Sequence, residues 1–228
     1  GVVTSANGPE AGVWVIAETD ELDTTYRKIV VTDDAGRFLV PDLPQSEYRL
    51  WVRGYGLVDS DSISARPGSR VTLRAVVAPS PRAAADVYPA NYWYSLLEPP
   101  AASEFPGTGP EGNGISPDIR SQSEWIDVTK QGCQLCHQMG NRFTFDISHL
   151  DRFDSSVAAW NHRVTFGQRG SQMSNVVNRF GRSRGLEMFA DWSDRIASGE
   201  VPPAPPRPTG VERNVVLTMW EWGSEASY

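Results

Sequence analysis

Cys133-Gln134-Leu135-Cys136-His137 holds the only two cysteines of the 228-residue chain, three positions apart, with a histidine directly after the second. Thiols at this spacing reach the two vinyl groups along one edge of a haem, where each S–H adds across a C=C bond to form a thioether. The histidine that follows is then held beneath the iron as an axial ligand. The competing chemistries fit less well. A thioredoxin-like CxxC does not use a following histidine, and no βαβ pattern surrounds this one. Zinc needs a second ligand pair, and His149 and His162 lack a finger-like spacing. The motif therefore predicts one covalent haem c, anchored by Cys133 and Cys136 and ligated by His137.

The sixth iron ligand has to come from elsewhere in the chain. Met139 is two residues from His137 and cannot cross to the other haem face. Met188 falls in Leu186–Trp192, an amphipathic run in which methionine is core, and Met219 is remote. His149 has polar neighbours of its own. Met173 follows the loop Gly167-Gln168-Arg169-Gly170, far enough from His137 to wrap around a haem edge, and is the first choice; His162 is the alternative. A thioether ligand raises the haem potential, and a second histidine lowers it. Arg163 and Arg169 flank the ligand loop and are candidates to pair with haem propionates. With Arg179, Arg182 and Arg184 they form a basic run on an acidic chain, a candidate docking face for an acidic partner.

The elements around these residues read as follows. Glu124–Lys130 predicts a helix leading into the motif, with Ser123 as its N-cap; residues 155–162 predict a second, and Ser183–Ser198 a closing helix ended by Gly199. The resulting domain, residues 123–200, resembles the c-type cytochromes through Cys133, Cys136 and His137. That resemblance implies a small, mainly α monohaem domain that carries single electrons.

Residues 1–78 read as strands: Val13–Ala17, Lys28–Thr32, Arg37–Val40, Tyr48–Tyr55 and Val71–Val77, separated by turns at Asp20–Asp23, Asp33–Gly36 and Pro41–Pro44. In Tyr48–Tyr55 the alternation puts Tyr48, Leu50 and Val52 on one face and Arg49, Trp51 and Arg53 on the other. Short strands at regular spacing predict an antiparallel β-sandwich. Asp33 and Asp34 read as turn carboxylates that accept backbone N–H bonds. The turn Thr32–Phe38, the Leu43-Pro44 corner, Tyr48-Arg49-Leu50 and Gly54-Tyr55 resemble the carboxypeptidase regulatory-like family, which implies a transthyretin-like fold acting as spacer, stabiliser or docking surface.

Between these domains, residues 79–122 read as a hinge at Pro79–Ala85, an aromatic cluster at Tyr92-Trp93-Tyr94, and a Pro/Gly-rich stretch that forms no regular element. The aromatics predict a strap packed on a domain surface. Residues 201–228 form a polyproline segment and one strand, Asn214–Gly223, which must join the N-terminal sandwich, pair with a partner chain or begin a further β-rich domain, the last two being favoured.

Composition narrows the function. A formal charge of −7 disfavours nucleic-acid binding, and no apolar run is long enough for a transmembrane segment. The start at Gly1 reads as a processed chain, and covalent haem attachment implies a periplasmic or extracellular location. Three histidines and no Ser-His-Asp or paired-carboxylate pattern leave little room for hydrolytic catalysis. The expected function is single-electron transfer to a redox partner protein. The alternatives are the electron-accepting module of a larger periplasmic dehydrogenase, joined to a β-rich oxidoreductase domain or subunit, and a structural or assembly subunit.

Overall fold

The computed structural model describes residues 1–147 and 152–221. They form a mixed α and β structure in two units, one of Gly1–Tyr88 with the chain from Ala204 onward, the other Pro89–Pro203. The first unit contains β1 (Val2–Ser5), β2 (Gly8–Pro9), β3 (Trp14–Thr19), β4 (Tyr26–Val31), β5 (Tyr48–Arg53), β6 (Leu57–Val58), β7 (Ile63–Ala65), β8 (Thr72–Arg74), β9 (Val76–Val77) and β10 (Val216–Trp220). Its main sheet is antiparallel throughout, in the order β10-β4-β3-β5-β7, with Ile16 opposite both Ile29 and Trp51. A three-stranded sheet, β2-β1-β8, and the pair β6-β9 complete it.

Side chains from all three sheets meet in one apolar core, among them Val3, Val15, Tyr26, Tyr48, Val52, Leu57 and Leu73. The expected alternation in β5 holds: Tyr48, Leu50 and Val52 are buried, while Arg49, Trp51 and Arg53 are not. The carboxylate of Asp33 accepts the amides of Ala35 (2.9 Å) and Arg37 (2.8 Å), as a turn residue does. Three charged groups lie inside this unit, each with partners from the same unit. Glu18 is held between Arg27 and Arg49. Glu10 accepts from Arg207 at 2.6 Å, and Lys28 donates to the carbonyls of Pro41 (2.9 Å) and Asp42 (3.3 Å).

Two expectations are corrected here. Arg37–Val40 is not a strand. It makes one bridge, Val2 to Arg37, and Phe38 exchanges backbone hydrogen bonds with Gly1, both at the edge of a turn closed by Pro41 and Pro44. The terminal strand takes the fate that the sequence ranked below the other two and joins the N-terminal unit: β10 runs antiparallel to β4, from Val216 opposite Val30 to Trp220 opposite Tyr26. The preceding proline segment brings it there, anchored by Arg207 on Tyr55 O and Glu10. The supposed hinge contains a short helix, α1 (Pro81–Ala85), capped by Ser80.

The second unit is helical: α2 (Ala90–Tyr94), α3 (Gln122–Thr129), α4 (Arg142–Phe145), α5 (Ser156–Thr165), α6 (Gly170–Phe180) and α7 (Arg182–Ala197). The cap of α3 is Ser121, two residues before the expected Ser123, and its hydroxyl accepts the amide of Glu124 at 3.2 Å. The closing helix α7 buries more residues than any other helix, among them Leu186, Met188, Phe189, Trp192 and Ile196. Three buried indoles each find an acceptor: Trp125 on Met188 Sδ (3.4 Å), Trp160 on Ser193 Oγ (2.9 Å) and Trp192 on Trp93 O (3.0 Å). The strap is an ordered part of this unit. Trp93 stacks on Phe145 with ring centroids 5.1 Å apart. Asn113 fastens the glycine-rich stretch, its Oδ1 accepting from Thr108 and Ile115 and its Nδ2 donating to Glu104 O. Among the described residues no helix is long and apolar enough to cross a membrane.

Candidate cofactor site

Helix α3 does not stop at Thr129 but widens into a π-helical turn, Lys130–Gln134, that carries the first cysteine. The amides of Cys136 (3.3 Å) and His137 (3.1 Å) both point back to Cys133 O, so the motif is one continuous turn. Gly132 lets this turn lie directly on α6: a Cβ there would stand 2.1 Å from Val176 Cγ1. Gly140 does the same for α2, since its Cβ would fall 1.6 Å from Ala90 O. The motif is thus gripped on both sides by backbone-close packing.

Both cysteines are free thiols. Cys133 is largely desolvated, which pushes its thiol up to about 11, with the neighbouring Cys136 adding to the shift. It is therefore protonated at neutral pH. Cys136 and His137 are exposed.

These residues open onto a cavity of about 660 Å³. The site residues expected from sequence all line it: Cys133, Cys136 and His137 from the motif, His162 and Arg163 from α5, Arg169 at the start of α6, and Met173 on α6. Met173 belongs to the first turn of α6, so it sits on a helix rather than at the end of a loop. Trp160, Val164, Val177 and Phe189 supply apolar wall. Met139 also lines the cavity, whereas Met188 lies in the core beneath Trp125 and Met219 lies on β10. His149 is outside the described residues.

The polar groups of the wall differ in how they are held. The ring of His162 packs between Phe153 (4.9 Å) and Phe166 (5.1 Å). Arg163 donates to the carbonyls of Phe143 and Asp146 and lies over the rings of Phe143 and Trp160. Its guanidinium is thereby held in the wall by backbone as well as by the two rings. Arg169 is exposed at the N-terminal end of α6. Arg152, which the sequence reading did not single out, joins it on the wall. No spacing in the sequence marks Arg152; only the fold brings it there. Of the basic run, Arg182 is bound to Asn161, Ser174 and Asn178 and Arg184 to Glu104.

No family model, no curated protein and no solved structure matches the chain.

The chemistry of the wall is therefore the guide. The cavity is of the size that takes a cofactor. Among the described residues it carries three arginines and two histidines and no Asp or Glu, on a chain whose formal charge is −7. Among the described residues no three His, Cys, Asp or Glu side chains converge as a metal cage would require. An apolar interior, a cationic edge and two thiols at one side suit a flat, largely apolar dianion that forms two covalent bonds. Haem fits that description.

Proposed function

We propose that this chain is a monohaem c-type electron-transfer protein of the periplasm or extracellular space, with an N-terminal transthyretin-like β-sandwich of the carboxypeptidase regulatory-like kind serving as spacer or docking module. One observation carries the reading: the CxxCH motif, two candidate distal ligands and three arginines all line a single cavity of about 660 Å³.

Haem, when bound, supplies an iron that cycles between two oxidation states one electron apart. The chain supplies the rest. Cys133 and Cys136 would hold the haem through thioethers, an S–H addition that needs no oxidant, and His137 and Met173 would ligate its iron, with His162 the alternative to Met173. Arg169 and Arg152 provide the cations that hold propionates, and Trp160, Val164, Val177 and Phe189 exclude water, which favours the less charged ferrous state.

Two experiments test this. Protein made in a host competent for c-type maturation should give a pyridine haemochrome spectrum of thioether-bound haem, and Cys133→Ala/Cys136→Ala should abolish covalent attachment. Met173→Ala should then remove the weak charge-transfer band that methionine ligation gives ferric haem. If that band is unaffected, or already absent in wild type, Met173 is not the ligand and His162→Ala becomes the deciding variant.

A module of a larger dehydrogenase remains the second functional class. The terminal strand no longer supports it, because β10 pairs within its own unit.

A further inference from the structure

Arg163 stands apart from the other cavity arginines. Its guanidinium is half-buried, lies 5.5 Å from the ring centroid of Trp160 and 5.7 Å from that of Phe143, and donates to the carbonyl oxygens of Phe143 and Asp146. The contacts fasten α4, the segment that follows the haem motif. That helix is a single turn of four residues, too short to be stable alone. Its first turn is held by Asn141, whose Oδ1 accepts Thr144 N at 2.8 Å. Its far end presents carbonyls with no helical partner, and the planar fork of an arginine can bridge two of them. Thr144 and Phe143 line the cavity from this helix, while Phe145 packs into the core against Trp93 and Trp192.

We infer that Arg163 is a positioning residue: a cation fixed in the cavity wall that locks α4 in place and raises the potential of the cofactor the cavity holds. This rests on the haem reading. A positive charge that cannot move away opposes the extra charge of the ferric state, and burial strengthens the effect because solvent screens it less. Desolvation lowers the guanidinium's pKa, with Asp146 acting in the opposite direction, yet arginine stays charged throughout the accessible range. Arg169 and Arg152 are exposed, and a propionate can neutralise either; the charge of Arg163 is fixed in the wall by backbone carbonyls, with Asp146 acting on it from the same segment, so it cannot swing away.

The test uses haem-loaded protein and three variants. Arg163→Gln and Arg163→Met remove the charge, the second keeping an apolar stem against the two rings in case the first does not fold. Arg163→Lys keeps the charge but not the fork. In the neutral variants the midpoint potential should fall, and amide exchange at residues 143–146 should quicken by about tenfold or more, the loss expected for hydrogen bonds to a charged donor. Arg163→Lys should restore most of the potential while exchange stays fast. An unchanged potential in the neutral variants overturns the proposal. So does a fall that lysine fails to reverse, which traces the effect to packing instead of charge. Wild-type protein without covalent haem overturns the cofactor reading itself, a result distinct from either.

Discussion

The two units treat polar groups in opposite ways. In the β unit every interior charge is matched by residues of the same unit: Glu18 between Arg27 and Arg49, Glu10 on Arg207, Lys28 on two carbonyls. In the helical unit the same care is given to the core indoles and not to the cavity, whose rim leaves Phe143 79% and Phe166 70% exposed and whose described lining holds three arginines and no carboxylate. A core that closes on itself is built for stability. A wall that turns large rings and cations to a shared space is suited to hold something else.

That contrast can be broken at graded strengths. Trp192→Ala, in the closed part of the helical unit, should cost about 3–5 kcal/mol, because it opens a core cavity and removes one donor to Trp93 O; calorimetry or denaturant unfolding measures it. Arg27→Ala/Arg49→Ala leaves the Glu18 carboxylate buried without a cation and should cost about 3 kcal/mol, the low end for a broken buried pair since both arginines are partly exposed. If that double variant is neutral, the β unit does not depend on internal matching and the comparison fails there. Gly140→Ala should cost about 1–3 kcal/mol by forcing α2 off the motif, and should lower the yield of covalent haem. Phe143→Ser, on the open wall, should change thermal stability of the haem-free chain by no more than about 0.5 kcal/mol.

The smallest effect is one of pH. Glu104 is held below the usual carboxylate range by its hydrogen bond from Arg184. A carboxyl whose folded pKa is depressed stabilises the fold above its unfolded pKa of about 4.5 and loses that contribution as pH falls through the lower folded value. Glu104→Gln should therefore flatten the acid limb of the helical unit's stability slightly and leave neutral pH behaviour nearly unchanged.

The parts of this architecture that sequence made legible were those set by local pattern. The alternation in Tyr48–Arg53 showed which face is buried, the Asp33 turn showed its own hydrogen bonds, and the apolar spacing of α7 showed a closing helix, because each depends on residues close in the chain. The motif and the candidate ligands were legible for the same reason. What remained hidden depended on distant pairing. Asn214–Gly223 reads as a strand, yet nothing in it says that β4 lies alongside part of it. Arg163 and Arg169 look alike in sequence, and only the carbonyls of Phe143 and Asp146 separate a wall-fixed cation from an exposed one. Arg152 carried no signal at all until the fold placed it beside them.

The central claim is that Cys133 and Cys136 bind haem covalently. Its most direct test is the mass of the denatured, acid-extracted chain from a host competent for c-type maturation, read together with a free-thiol titration. The account predicts a chain heavier by one haem with no titratable thiol. An unmodified mass with two reactive thiols, from a host that matures a control c-type cytochrome in the same culture, would contradict it.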